Sequence, residues 1–213
     1  MKEFTFYTRL IQVILTGERA TSIPELINGI EKVEQSSIYY HTHRFLQQHI
    51  TKSPEPPNDF AYWIGNILNI EWLSEQISSI NLVQFHNIED IRNTYLDILK
   101  KYKNTHKYSA ISPPGQEFQF LGCRTFVLKT GCSADNLSTF KQCLSVVDIN
   151  SIIYHIFDTR LPQGKTDNDF SVWFDSIGNA KLASAVRKLD PYTYTLEGLR
   201  KQLINLVNEY EKN

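Results

Sequence analysis

The sequence is poor in cysteine, has no long apolar run and carries no excess of charge of either sign. Cysteine occurs three times in 213 residues, at Cys123, Cys132 and Cys143. An odd count at spacings of 9 and 11 fits neither a zinc-ligand pattern nor a CxxC redox pair. These thiols read as small buried hydrophobes, with a reactive thiol as the alternative. No apolar run approaches the ~18 residues needed to cross a bilayer. The opening Met1-Lys2-Glu3-Phe4 has no small-residue cleavage site, and Arg9, Gln12 and Glu18 interrupt the stretch that follows. A secretory signal is therefore not expected, and the reducing cytoplasm is the expected compartment. With 22 Lys+Arg against 23 Asp+Glu, the net charge is −1. The basic residues are scattered, so neither nucleic acid nor a membrane is an expected partner. Gly-x-Ser-x-Gly, His-Glu-x-x-His and dinucleotide fingerprints are all missing. Thr16-Gly17 and Thr130-Gly131 read as simple turns. No cofactor is expected.

What is present is a chain of 41% hydrophobic and 12% aromatic residues. That composition suits a globular protein burying roughly 70% of its unfolded surface. It also shows an internal echo. Phe4-Thr5-Phe6 returns as Phe118-Gln119-Phe120, and Ser37-Ile38-Tyr39-Tyr40-His41 as Ser151-Ile152-Ile153-Tyr154-His155, at an offset of about 114. Asn58-Asp59-Phe60-Ala61-Tyr62-Trp63 returns as Asn168-Asp169-Phe170-Ser171-Val172-Trp173 at a slightly shorter offset. In the tails, Glu89, Arg92 and Tyr102 match Glu197, Arg200 and Tyr210.

The order of matches predicts a tandem duplication: a first unit over 1–103, a linker over 104–117 with Ser112-Pro113-Pro114-Gly115 as breaker, and a second unit over 118–213. Periodicity predicts an all-α fold, two helical units of about 100 residues packed with pseudo-twofold symmetry as one body. The first segment, Phe4–Leu15, fits a strand or a helix, and helix is preferred. Further helices are expected over Ile23–Val33, Ile38–His49, Asn58 to about Ser79 with a break near Asn69, and Asn87–Tyr102, each with its counterpart.

The residues that could carry chemistry are Tyr-His and Asn-Asp-Phe, present in both halves. His41 and His155 fall on the apolar side of a helix, where an imidazole needs a hydrogen-bond partner. Asp59 and Asp169 are the expected partners. An Asp–His pair in a fixed tautomer is the arrangement used for general acid–base catalysis, so these four are the candidate catalytic residues. They have a structural reading as well, in which the pair ties one helix to the next. Asn58 and Asn168 read as N-caps, with Asp59 and Asp169 in the first turn. Tyr40 and Tyr154, adjoining the histidines, together with His43, Arg44, Arg160, Asn58 and Asn168, complete the candidate ligand-binding set. The two arginines are candidate anion anchors or simply solvated charges. His41 and His43 lie about 200° apart on an α-helix, which argues against a shared metal ion, and no metal ligand is assigned.

The runs Ser37–Phe45 and Asn58–Trp63, with Tyr154-His155, Asn168–Trp173 and Asp190–Leu199, resemble a prokaryotic domain-of-unknown-function family of duplicated proteins with Tyr-Tyr-His-Thr-His and Asn-Asp-Phe-x-x-Trp motifs. The resemblance implies a prokaryotic cytoplasmic protein and carries no activity. The reading favoured by the sequence is a non-enzymatic binding or assembly module for a partner protein or a small polar ligand, as monomer or homodimer. The alternative is an enzyme applying Asp–His chemistry to a small anionic or sugar-like substrate. The third reading is a metal-binding protein using His41 and His43.

Overall fold

Phe4 and Phe6 are buried while Tyr7 is exposed, and Phe118 and Phe120 are buried on either side of the exposed Gln119. Side chains that alternate in this way belong to extended chain. The computed structural model describes residues 3–44, 58–106, 110–159 and 167–211. In it both segments are strands of 17 residues, β1 over Phe4–Ala20 and β2 over Phe118–Ala134. They pair as an antiparallel two-stranded sheet. The expectation of an all-α fold is therefore corrected: the protein is mixed α/β. The local pattern misled for a physical reason. The middle of each strand has no apolar rhythm, with Leu10, Val13, Leu15, Phe126, Val127 and Leu128 all exposed. Each backbone is satisfied instead by a partner strand about a hundred residues away, which no local window reveals.

The helices are α1 (Ile23–Lys32), α2 (Gln35–Tyr39), α3 (Asp59–Asn66), α4 (Glu71–Ser78) and α5 (Ile88–Thr105) between the strands. After β2 come α6 (Leu137–Val146), α7 (Ile149–Ile153), α8 (Asp169–Ser176), α9 (Ala180–Arg187) and α10 (Leu196–Glu211). The break near Asn69 is a left-handed residue at φ 56°, tolerated by asparagine. Two helices change pitch: α2 continues as a π-helix over Tyr40–Arg44, and α7 as one over Tyr154–Asp158.

Two compact units result, and they interleave along the chain. One is contiguous, Gln12–Arg124; the other is split, Met1–Ile11 with Thr125–Asn213. The expected tandem pair of helical units with pseudo-twofold symmetry is corrected by this division, because each unit takes in part of each strand. The core of the split unit gathers Phe4 and Phe6 with Phe140, Phe170, Trp173, Phe174, Leu199 and Leu203. Each fully buried aromatic there contributes roughly 1.5–3 kcal/mol. The contiguous unit buries Phe118 and Phe120 with Leu26, Ile38, Phe60, Ile91 and Tyr95. Phe120 presses on Gly29 so closely that a Cβ there would lie 2.2 Å from the ring, so α1 needs glycine at this turn.

Each unit closes in a like manner. Arg92 of α5 reaches the orphan carbonyls at the end of α1, donating to Ile30 and, at 2.8 Å, to Val33. Arg200 of α10 does the same for α6, at Leu144 (2.5 Å) and Val147 (2.8 Å). A cation there satisfies carbonyls that the helix cannot and suits the negative end of the dipole.

Candidate functional site

In the split unit, α8 begins with Asn168, whose side-chain oxygen accepts from the Ser171 N–H at 2.9 Å. This cap turns the chain so that Asp169, in the first helical turn, points back at the π-helix. Its Oδ2 lies 2.8 Å from His155 Nδ1. The other ring nitrogen, Nε2, accepts the backbone N–H of Tyr7 in β1 at 2.9 Å. Accepting from a backbone N–H requires a lone pair on Nε2, so Nδ1 carries the proton and donates it to Asp169. Phe4, Phe6, Tyr154 and Phe170 enclose the ring, with centroids 4.9, 5.8, 5.0 and 5.4 Å away.

The contiguous unit builds the same arrangement. Asn58 Oδ1 accepts from the Ala61 N–H at 2.8 Å, Asp59 Oδ2 lies 2.6 Å from His41 Nδ1, and the Leu121 N–H of β2 donates to His41 Nε2 at 2.8 Å. Both imidazoles are 2% exposed. Each is a strut with both nitrogens engaged, joining a π-turn, the next helix and a strand. A general base needs a lone pair open to substrate, and in each ring that lone pair is already accepting a backbone proton.

Around the struts the units diverge. In the split unit Arg9 of β1 forms a buried ion pair with Asp158 of the π-helix. At the corresponding strand position the contiguous unit has Cys123, whose thiol donates to the Ser36 carbonyl. Of the other candidate residues, Asn58 and Asn168 are caps. Tyr40 and Tyr154 are half-buried beside their histidines. His43 turns to its own surroundings, stacked on Tyr39 at 5.4 Å and 2° and with Nδ1 2.8 Å from Thr42 Oγ1. Among the described residues no group of three or more His, Cys, Asp and Glu could hold a metal ion. The Arg44 side chain and Arg160 lie outside the described residues.

A cleft of about 370 Å³ opens beside the split-unit strut, lined by Glu3, Phe4, Thr5, Tyr7, Tyr154, His155, Asp169, Val172, Trp173 and Ser176. Its charged lining residues are Glu3 and Asp169, and neither lysine nor arginine is among the ten. The Tyr7 and Tyr154 rings stand 6.4 Å apart. Burial, then the charges of Asp169 and Asp158 and the neighbouring Tyr7, hold the Tyr154 phenol above its ordinary value. A phenol that resists becoming an anion reports a low-dielectric, negative environment. Sequence reasoning missed Glu3, Phe4, Thr5, Tyr7, Val172, Trp173 and Ser176 as lining residues. The alternation of Phe4 and Phe6 with Thr5 and Tyr7 was the available signal, and it depended on reading β1 as a strand.

Set beside known proteins, residues 1–208 match the model of a family of unknown function, DUF5752. The chain belongs to that family. No curated protein matches it. Like this DUF5752 chain in fold is the solved structure of OrfY from Thermoproteus tenax, with 25% sequence identity, a TM-score of 0.83, and coverage of 100% of this chain and 97% of that one. Among the described residues of this DUF5752 chain, no helix is long and apolar enough to cross a membrane.

Proposed function

We propose that the protein is a non-enzymatic binding module whose cleft in the split unit receives a positively charged group of a small polar ligand, a primary ammonium being the simplest. The observation that carries this reading is the lining itself: two carboxylates and aromatic rings, with neither lysine nor arginine in the lining among the described residues. A carboxylate-lined pocket attracts a cation by charge, and the face of a tyrosine or tryptophan adds cation–π attraction of about 0.5–2 kcal/mol. Thr5 and Ser176 hydroxyls in the lining can take the remaining ammonium protons. The His155 strut, whose two nitrogens are in use, supports binding over catalysis. Three free thiols suit action in a reducing cytoplasm.

Calorimetric titration with 1,4-diaminobutane, against glucose and inorganic phosphate as neutral and anionic controls, tests the reading. The diamine should bind, and Glu3→Gln or Asp169→Asn should each weaken it about tenfold, equivalent to about 1.4 kcal/mol. In Asp169→Asn the new amide oxygen can still accept from His155, so the strut survives that change. Equal binding of diamine by Glu3→Gln and wild type, or tighter binding of phosphate than of diamine, would overturn the proposal.

A further inference from the structure

The last residues of β2 alternate in burial: Thr130 and Cys132 are half-buried and Ala134 is buried, while Gly131 and Ser133 are exposed. The chain then turns sharply into α6. Asn136 caps that helix, its side chain accepting from the Thr139 N–H at 2.9 Å while the Thr139 hydroxyl accepts from the Asn136 N–H. The cap fixes the angle at which α6 folds back over the end of β2. On α6 the core-facing positions are Phe140, Cys143 and Leu144, three and four residues apart and so on one face. Cys143 thus comes down on the strand end. Its thiol donates to the Ser133 carbonyl at 3.4 Å, beside half-buried Cys132, which packs against the same core as Cys143.

We infer that Cys132 and Cys143 form a reversible disulfide within the split unit, a modification site that responds to low-molecular-weight disulfides. Cys132 is the more exposed of the two and attacks first. Its thiolate adds to one sulfur of glutathione disulfide, the S–S bond of that reagent breaks, and one glutathione thiolate leaves. The Cys143 thiolate then attacks the Cys132 sulfur of the mixed disulfide and expels the second glutathione. Two protein thiols lose two protons and two electrons, and one glutathione disulfide becomes two glutathiones, so the exchange balances. Burial and the neighbouring Cys132 push the Cys143 thiol up to about 11, which makes it the resolving partner and the slower step. The bridge ties α6 to the end of β2 across a short loop and restricts the unfolded chain. Cys123 belongs to the contiguous unit, with its thiol directed at Ser36, and serves as an internal control.

The test is to incubate the folded wild-type protein with glutathione disulfide, block free thiols by alkylation and map the peptides by mass. The expected result is a Cys132–Cys143 cross-linked peptide that has lost two hydrogens, an alkylated Cys123, and a melting temperature a few degrees above that of the reduced protein, reversed by dithiothreitol. In Cys132→Ala, Cys143 should stay reduced under the same treatment. Three alkylatable thiols after full exposure, Cys132 held as a stable glutathione adduct, or a bridge that forms only in denaturant would each overturn the inference. Because the cross-link is read on the wild-type chain, the test does not depend on a variant that folds.

Discussion

His41 and His155 make the same three-way joint in different settings. Each holds an aspartate through Nδ1 and a strand N–H through Nε2. Around His155 the strand carries a buried arginine paired with an aspartate, and a cleft with two carboxylates opens alongside. Around His41 the corresponding strand position is a cysteine, and Trp63 donates its indole N–H to the Gln116 carbonyl at 2.8 Å. The comparison separates architecture from opportunity. The joint is the part the fold requires, since both units build it. The residues that differ between the two are where a unit-specific role can reside, and they are also where the energetic stakes differ.

Removing the feature found on one side should have the largest effect. Asp158→Ala leaves the Arg9 guanidinium, 3% exposed, without its carboxylate. Loss of one partner from a buried pair costs about 3–5 kcal/mol, and urea denaturation should show it. Cys123→Ala at the corresponding strand position should cost about 1 kcal/mol, the packing of one small group. A small effect of Asp158→Ala would mean that the arginine relaxes to water and that the two surroundings are energetically alike.

The next test addresses what the sites share. His41→Leu and His155→Leu each remove the acceptor of a strand N–H and the donor to an aspartate. Each should lower stability by about 2–3 kcal/mol. Near-equal losses are the signature of two struts. A loss at His41 with none at His155 would show that the joint beside the cleft is dispensable for folding and would reopen a chemical role for it.

The smallest effect sharpens the contrast in the last helices. Tyr95 of α5 is fully buried, and its hydroxyl finds no hydrogen-bond partner among the described residues. Leu203 stands at the corresponding place in α10. Burial raises the Tyr95 phenol well above the ordinary tyrosine range. The unfolded chain releases this proton near pH 10 while the native state keeps it, so stability falls as pH rises above about 10. Tyr95→Phe should change stability by no more than about 1 kcal/mol at neutral pH and should flatten the alkaline fall, read by thermal melts between about pH 8 and 11. An unchanged alkaline slope would place its origin elsewhere, with the raised Tyr154 phenol as the next group to replace.

Much of the joint was legible in the sequence because it is local in its chemistry. Asparagine followed by aspartate and an apolar helix is a capping pattern, and a histidine on an apolar face demands a partner within reach of such a cap. The third contact was not legible. The Tyr7 and Leu121 N–H groups come from strands 148 and 80 residues away from their histidines, and a backbone donor has no side-chain signature. The π-turns escaped for a related reason, since a widened turn is set by what it packs against rather than by composition. The Arg9–Asp158 pair was hidden because Arg9 looked like an interruption in an apolar stretch. In a strand that same residue faces a buried carboxylate.

The division of the strands between the units has a consequence in time. During synthesis the contiguous unit has every residue it needs once Arg124 has been joined. The split unit does not, because Phe4 and Phe6 belong to a core completed by α10. At about 5–20 residues per second, the first strand residues wait on the order of ten seconds for their partners. They are made before the contiguous unit is complete and are buried after it. The two units are thus set in sequence by the ribosome, with the first providing one end of β1 a fixed anchor while the other end awaits its core.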